Sequence, residues 1–550
     1  MLEILSQSAG QVLTLHTLGL MCIGTVAGLL AGGIPGFTIA MAVVLTLPFT
    51  FGMEAIQGLA TMIAVFVGGL SGGLMSGILT GIPGTPSSVA TTFDGFPLAR
   101  RGQAGLALGV GVWSSFFGGV ISAVLLVTVA PPLARVGLEF GPWDYFSLVV
   151  FALSITASLA GDQLLKGLIA GALGLLVATV GEDEINGVAR FNFGFDELKQ
   201  GFAFLPVLIG LFAFSQLLHD VRDTAQARRS LSLGNERVRI EHLRAAREVL
   251  SRYGNLLRSS MIGVFTGILP AAGSSISNIL AYDQAKKAAA DPDAFGKGEI
   301  DGVIAPEAAN NATAGGSLIT MMALGIPGDV VTAVMLGALL IHDVVPSPSF
   351  IRDQPVIANA IFIAFLVAHF LMLALQSVTL RLFVLVTRVP MYVLTSVILA
   401  YCAIGVFALH NVEFDLWALL GFGVLGYIMR NLGFPLAPMI LGVVLGRIAE
   451  LNLSRAIAIS DQWQPFFTRP WSLLFVVLTL FSIGFGIYQR DRVRGGWTRF
   501  FMPALALGSA LPLAMMPGMA RPIAAAALAA WAIYALWRGG RRREQAAGRG

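Results

Sequence analysis

The feature that most limits what this chain can become is a succession of apolar runs, each about as long as a bilayer is thick. They lie near residues 12–31, 56–80, 104–130, 144–161, 164–181 and 201–218. After a polar interval they resume near 259–281, 303–324, 328–345, 355–376, 390–410, 413–430 and 434–449, and three more follow near 471–489, 500–518 and 519–537. Lipid offers no partner to a free backbone N–H or C=O, so runs of this length are read as helices. Composition agrees: 56% of the 550 residues are hydrophobic and 12% charged, about half the charged share of a soluble domain. The predicted fold class is an all-α polytopic membrane protein with about 12–15 membrane elements. The net charge of +4 gives no reason to expect nucleic acid. Cys22 and Cys402 both lie in apolar segments, so neither a disulfide framework nor a metal spacing is present. Met1–Gln11 holds no Lys or Arg, so the first apolar run is read as a retained span rather than a signal peptide.

Two runs are interrupted in the same way. Gly81-Ile82-Pro83-Gly84-Thr85-Pro86-Ser87-Ser88 follows the run at 56–80, and Gly325-Ile326-Pro327-Gly328-Asp329 follows the run at 303–324. Proline lacks the N–H a helix needs and glycine leaves the backbone unrestrained. Broken backbone at membrane depth is tolerated only where protein or a water-lined cavity satisfies it, so both breaks are predicted to line a site. The stretches around 35–50, 86–98 and 328–345 read as half-helices or re-entrant pieces.

The breaks also suggest a two-fold repeat. Gly32-Gly33-Ile34-Pro35-Gly36 precedes the first break, and Gly267-Ile268-Leu269-Pro270 precedes the second, the extra length in the latter case falling mostly in the charged insert Asp283–Asp301. Paired broken segments in two halves point to a transporter binding site. The expected segments are a first transmembrane repeat at 1–218, a basic linker at 219–257, a second repeat at 258–470, and extra spans with a basic tail at 471–550. His219–Arg258 contains nine arginines against five acids. By the positive-inside rule it is cytoplasmic, as are the clusters at Arg490, Arg492, Arg494 and Arg499 and at Arg538 and Arg541–Arg543, while Glu182-Asp183-Glu184 falls outside. In that orientation the two halves start on opposite sides and the repeat is inverted. Glu241–Tyr253 is read as a solvated linker helix, with regulation or partner docking as the other reading.

Four polar constellations sit in or beside the breaks. Thr85, Ser87, Ser88, Thr91, Thr92 and Asp94 offer hydroxyls and a carboxylate; a half-helix starting at Pro86 or Ser87 would add free N–H groups for an anion, and the plainer reading is an N-cap packed on a neighbour. Glu307, Asn310, Asn311 and Thr313 open a long apolar run, where such groups are costly unless partnered; their oxygens suit a hard cation such as sodium. Asp329 is a cap for the next half-helix, an ion ligand or a proton relay, capping being the safest single role. Gly273-Ser274-Ser275-Ile276-Ser277-Asn278 reads equally as a polar pocket wall and as small-residue packing. His342-Asp343 is a pH-sensing pair or, more simply, an interfacial helix end. His16, His369 and His410 have no partner in sequence and receive no role. Residues 1–99 and 299–351 contain no Lys or Arg, so an anion bound at these breaks would be met by helix N-termini, hydroxyls, amides and a co-bound cation.

The longest motifs carry a resemblance. Leu79–Pro97 with Arg100-Arg101-Gly102 and Ala107-Leu108-Gly109, and Gly302–Asn311 with Gly315-Gly316, Gly325–Gly328, Thr332–Val334 and Gly337–His342, resemble the large permease subunit of tripartite tricarboxylate transporters, the TctA-like family. The match runs from about residue 10 to 470 and departs at Asp343 and in the tail. The resemblance implies a secondary carrier driven by a sodium or proton gradient, with two partners: a small TctB-like membrane subunit, usually of four spans, and a periplasmic TctC-like solute-binding protein that delivers a carboxylate. The tail, with about three spans, fits a docking surface for a separate small subunit better than a fused one. No Gly-x-x-x-x-Gly-Lys-Ser/Thr loop occurs, in keeping with a carrier that uses no ATP.

The expected function is ion-coupled (Na+ or H+) uptake of tri- or dicarboxylates across the bacterial inner membrane, with no cofactor beyond a possible coupling Na+ and no nucleic-acid partner. Substrate is expected at Pro35, Gly84, Thr85, Pro86, Ser87, Ser88, Ser274, Ser275, Gly325, Pro327, Gly328 and Asp329, and the coupling ion at Asp94, Glu307, Asn310, Asn311 and Thr313. Thr85, Ser87 and Ser88 are expected to face Asn310, Asn311, Thr313 and Asp329. The competing readings are a stand-alone carrier or exporter, a passive channel, and a membrane enzyme. The last would need a nucleophile or metal set; the single Gly-x-Ser-x-Gly match, at Gly69–Gly73, lies inside an apolar helical run where a nucleophile elbow does not form.

Overall fold

The computed structural model describes residues 2–158, 163–183, 187–222, 238–270, 273–342, 344–386, 389, 391–491, 497–518 and 520–547. Glu184, Arg492, Arg494 and Asp343 lie outside the described residues, as does 223–237 of the linker. Apart from one two-residue antiparallel ladder, Gly181–Glu182 with Ala189–Arg190, the described elements are helices, as the apolar runs require. Six are long and apolar enough to cross a bilayer, and seven shorter apolar helices of 10–17 residues accompany them among the described residues.

Contacts divide the chain into two compact units, Met1–Leu138 with Phe202–Asn431, and Glu139–Gly201 with Leu432–Gly550. Each unit draws on both halves of the sequence. The first is built on α1 (Leu15–Gly33), α2 (Ile39–Thr50), α3 (Ala55–Thr80), α4 (Val89–Leu98), α5 (Ala104–Gly137), α6 (His242–Ser251), α7 (Tyr253–Ile268), α8 (Gly273–Ala288), α9 (Asp301–Leu324), α10 (Val330–Ile341) and α11 (Pro355–Val386). At 1.5 Å per residue α3 and α9 are each long enough to cross a membrane, whereas α2, α4 and α10 reach about 15–18 Å, half of it. These three are the half-helices expected at 35–50, 86–98 and 328–345.

Backbone contact between helices explains the glycine content. α1 lies so close to α3 that a Cβ on Gly28 would sit 2.2 Å from Val65 O, and one on Gly32 would sit 2.1 Å from Gly69 O. α7 and α9 repeat the arrangement, with 2.3 Å from Gly263 to Ala309 O and 2.2 Å from Gly267 to Thr313 O. Without a hydrophobic drive between helices in lipid, such contact is what holds them. α3 and α9 are buried along nearly their whole length, so both form the centre of this unit rather than a lipid-facing wall.

The described part of the linker is less solvated than its charge suggests. Ala245 and Val249 of α6, four residues apart on one face, pack against Leu106 and Val110 of α5. Glu241 N–H donates to Gly105 O at 3.1 Å, and His242 Nε2 lies 2.8 Å from Ser377 Oγ of α11. Arg244 and Arg247 lie on the exposed faces of the same helix.

The second unit contains Pro142–Ser158, Leu164–Ala178, Leu436–Ile459, Pro470–Asp491, Thr498–Met515 and Ala520–Ala547. Its buried Asp144 accepts from Gly141 N–H at 2.8 Å and from Arg469 Nη2 at 3.0 Å, and Arg469 also lies over the Trp143 ring. The three tail helices therefore share a unit with Pro142–Ser158, to which Arg521 is tied through Glu139 at 2.7 Å.

Candidate functional site

The two glycines and the proline of the repeated Gly-Ile-Pro-Gly each have a separate local task, and the tasks coincide at the two breaks. Gly81 ends α3 in the left-handed region (φ 74°), its N–H bonded to Gly77 O at 3.0 Å; Gly325 ends α9 the same way (φ 71°), bonded to Met321 O at 3.0 Å. A side chain is disfavoured in that region. The proline two residues on prevents the helix from resuming. The second glycine lets the returning chain touch the neighbouring helix end: a Cβ on Gly84 would lie 2.2 Å from Gly32 O, and one on Gly328 would lie 2.2 Å from Gly267 O.

Each break closes with a reciprocal cap. Asp329 accepts from Thr332 N–H at 2.7 Å while its own N–H donates to Thr332 Oγ1 at 3.0 Å, a capping box that starts α10. At the first break Thr85 N–H donates to Ser88 Oγ at 3.4 Å, and Ser88 Oγ donates to Thr85 O at 2.9 Å. Thr85 Oγ1 lies 2.9 Å from Ser87 Oγ. Pro86–Ser88 form a single 3-10 turn, and α4 begins only at Val89. The N–H of Ala90, in the first turn of α4, is taken by Asn278 Oδ1 of α8 at 2.8 Å. Thus one of the donors that an anion would use at this helix start already has a protein partner.

α9 is the hub. Its side chains Glu307, Asn310, Asn311 and Thr313 are fully buried and reach four different neighbouring helices. Glu307 Oε1 accepts from Thr91 Oγ1 of α4 at 2.6 Å and Oε2 from Ser115 Oγ of α5 at 2.9 Å. Asn310 Nδ2 donates to Leu70 O of α3 at 2.9 Å, and Asn311 Oδ1 accepts from Ser71 Oγ at 3.1 Å. Thr313 Oγ1 lies 2.7 Å from Ser277 Oγ of α8. The spacing 307, 310/311 and 313 fans these groups around one helix. The acceptor Asn310 Oδ1 and the donor Asn278 Nδ2 are buried here with no partner among the described residues.

The residues expected at the site fall into groups. Pro86–Ser88 lie against α8 and α9, and a Cβ on Gly73 of α3 would touch both Thr85 Oγ1 and Ser88 Oγ at 2.6 Å. The first break is therefore next to α9, the helix that carries Asn310, Asn311 and Thr313. Among the described hydrogen bonds none joins Asp329 to Thr85–Ser88; Asp329 instead neighbours Gly273, whose added Cβ would be 3.8 Å from Asp329 Cβ. Ser274 and Ser275 follow at the start of α8, Ser274 O accepting from Ser277 Oγ at 3.0 Å. Asp94 stands apart from the hub bonds. Its oxygens accept from Tyr282 OH at 2.8 Å and from the N–H groups of Gly298 and Glu299 at 2.7 and 2.8 Å. Pro35 sits in the turn between α1 and α2, where Ile34 and Phe37 border an apolar cavity of about 190 Å³ that Leu217 and Ile398 also line. His342 is the C-cap of α10.

Sequence reasoning did not select Ser71, Ser115 or Tyr282. Ser71 is in a small-residue run and Ser115 follows Ser114 in an apolar run, both of which read as packing glue. Nothing local says that they reach Asn311 and Glu307, more than 190 residues away.

The family model described as "Tripartite tricarboxylate transporter TctA family" matches residues 18–441, a span that takes in both breaks and all of α9. The chain belongs to the tripartite tricarboxylate transporter TctA family. It is thus a component of a tripartite transporter and a multi-pass membrane protein, and the family is one of transporters rather than enzymes. Among similar chains is the "Uncharacterized 52.8 kDa protein in TAR-I ttuC' 3'region" of Agrobacterium vitis, 34% identical over 439 residues, covering 80% of this chain and 86% of that one. An "Uncharacterized protein in TAR-II ttuC' 3'region" from the same organism is 34% identical over 198 residues, 36% of this chain and 82% of that one. No solved structure matches the chain.

Proposed function

We propose that this TctA-family chain is the large permease subunit of a binding-protein-dependent importer of di- or tricarboxylates in the bacterial inner membrane, driven by a Na+ or H+ gradient. The observation that carries the reading is the buried face of α9. Glu307, Asn310 and Asn311 are enclosed beside the first break, in a region whose flanking tracts hold no Lys or Arg. A carboxylate there would be met by neutral donors and by whatever cation accompanies it, which makes cation coupling part of binding itself. Glu307, Asn310, Asn311 and Thr313 serve the coupling ion. The hydroxyls of Thr85, Ser87 and Ser88, with the backbone of Gly84 and Gly328, serve the substrate.

The partners in this reading are a small membrane subunit and a periplasmic solute-binding protein. The basic central linker and the C-terminus are cytoplasmic, and the two halves form an inverted repeat. Support for the repeat comes from the matched helix pairs α1/α3 and α7/α9, the matched left-handed caps at Gly81 and Gly325, and the matched capping boxes.

The test is uptake of radiolabelled mono-, di- and tricarboxylates into vesicles carrying the cognate partners, with sodium and pH varied independently. Ser87→Ala combined with Asn311→Ala abolishes uptake at unchanged expression. Full uptake by the double variant removes these residues from the site. Uptake that persists without any ion gradient makes the protein a passive channel.

A further inference from the structure

The linker helix α6 takes no part in the proposed site, yet it shows three distinct faces. Ala245 and Val249 turn toward α5. Leu243 and Leu250, seven residues apart and therefore on one line of the helix, are 90% and 52% exposed. Arg244, Arg247 and Ser251 take the third face and are exposed as well. One side packed on protein, one side bearing bare leucines and one side basic is the pattern of a helix lying in a membrane surface. In water the leucine line is unfavourable.

The neighbours of α6 place it at that depth. Glu241 N–H reaches Gly105 O at the start of α5, and His242 lies against Ser377 in the last third of α11. Arg100 and Arg101, just before α5, and Arg381, one helical turn beyond Ser377, are all exposed. Hydrocarbon excludes exposed guanidinium groups, so these ends of α5 and α11 mark the headgroup level. Arg252 then interrupts the helix (φ −106°, ψ 35°), and α7 begins an exposed apolar line of its own. Tyr253, Leu257, Met261 and Phe265 are spaced four apart and all exposed. In a membrane protein such a line faces lipid, and Leu250 precedes it by three residues.

The charges beside the leucines say which surface suits them. Arg244 is paired with Glu241 at 3.2 Å, and Arg252 is paired with Glu248. Arg239 and Arg247 are exposed and have no acidic partner among the described residues. A guanidinium binds phosphate oxygens through its planar fork of donors, and each basic residue at a membrane surface adds attraction to anionic lipid. A protein seated here would need acidic groups set beside an apolar strip, whereas an anionic bilayer presents both at this depth.

We propose that α6 is an interfacial helix seated on the anionic surface of the bilayer, with Leu243 and Leu250 entering the acyl boundary and Arg239 and Arg247 holding lipid phosphates. The inference rests on the chain being a membrane protein and not on the solute it carries, and its test needs no substrate.

The chain has only two cysteines, Cys22 and Cys402, so single cysteines can be placed in a Cys22→Ala/Cys402→Ala background of the full chain. Leu243→Cys and Leu250→Cys carry a bimane label, with Phe265→Cys as the lipid reference and Ser251→Cys as the water reference. The labelled chains are placed in nanodiscs of equimolar phosphatidylglycerol and phosphatidylcholine, with bromine on the acyl chains of one lipid or the other. Labels at 243 and 250 are expected to be quenched by brominated chains at least about half as strongly as at 265, and by aqueous acrylamide less than at 251. Quenching by acrylamide alone means a solvated linker and overturns the proposal. Protection from both quenchers means that a second copy of the chain covers the face, and overturns it too. Bromine on the anionic lipid is expected to quench at 243 and 250 at least about twofold more than bromine on phosphatidylcholine. Arg239→Gln with Arg247→Gln removes that difference and leaves position 265 unchanged; equal quenching by the two lipids in the unsubstituted chain overturns the anionic assignment. In cells, benzoylphenylalanine at 243 that joins the chain to another polypeptide on illumination assigns the face to a protein instead and overturns the proposal. Both label positions are exposed, and if one variant is lost to misfolding the other decides.

Discussion

The tight contact between α1 and α3 makes a graded prediction, because one helix contains glycines in every degree of confinement. An added Cβ meets nothing within 4 Å at Gly19, 2.8 Å to Thr61 O at Gly24, 2.2 Å to Val65 O at Gly28 and 2.1 Å to Gly69 O at Gly32. Ordinary carbon contacts need about 3.5 Å, so alanine at 28 or 32 forces the two backbones about 1 Å apart. Overpacking of this kind costs about 1–3 kcal/mol, against which alanine returns about 1 kcal/mol of helix propensity. Gly19→Ala is therefore expected to be neutral or stabilising. Gly24→Ala is close to neutral, and Gly28→Ala and Gly32→Ala are destabilising, by up to about 2 kcal/mol. α7 offers the replicate: Gly254 is open, while Gly263 and Gly267 are confined to 2.3 and 2.2 Å, and the same order is expected there. The assay is the fraction of full-length protein that stays monodisperse in detergent after heating, read by fluorescence-detected size exclusion. Such unfolding is irreversible, so rank order is the quantity compared. Gly28→Ala and Gly32→Ala variants as heat-resistant as Gly19→Ala would refute the backbone-contact account.

The hub and the second break give two further predictions. Glu307→Gln keeps an acceptor for one hydroxyl and gives the other a donor it can accept from, so the fold is expected to be intact while ion-coupled uptake falls at least about tenfold, about 1.4 kcal/mol; wild-type uptake by this variant would exclude Glu307 from coupling. Glu307→Leu instead orphans the hydroxyls of Thr91 and Ser115, a loss of about 2–6 kcal/mol, to be seen as lowered expression and heat resistance. At the second break Asp329→Asn retains the cap and is expected to match wild type in heat resistance, whereas Asp329→Ala loses about 1 kcal/mol. Loss of uptake by a heat-stable Asp329→Asn variant would show that the charge, rather than the cap, matters for transport.

Much of the candidate site's local structure was legible in the sequence because its signals are local. A glycine that must end a helix, a proline that stops it resuming and a threonine or aspartate that restarts it act within ten residues, so the breaks at Gly81–Ser88 and Gly325–Asp329 could be found by reading along the chain. The cost of placing Glu307, Asn310 and Asn311 in an apolar run likewise depends only on the run itself. Asp94 was legible as a polar group beside a break, yet its partners Tyr282, Gly298 and Glu299 lie far along the chain. His369, a lone residue in sequence, is brought against Gly119 of α5 only by the fold.

What the sequence by itself determined is the class of the protein and its punctuation. The length and apolarity of the runs require membrane helices, and Gly and Pro place their interruptions, since both are properties of backbone and solvent that no distant residue changes. The tertiary structure alone decided which helices touch and therefore which polar groups are paired. That Glu307 is held by Thr91 and Ser115, that Asn278 takes the Ala90 N–H, and that α3 and α9 are buried all round follow from helices brought together by glycine contact. In a chain where nearly every face is apolar, periodicity does not distinguish a lipid-facing surface from a protein-facing one, and only packing does.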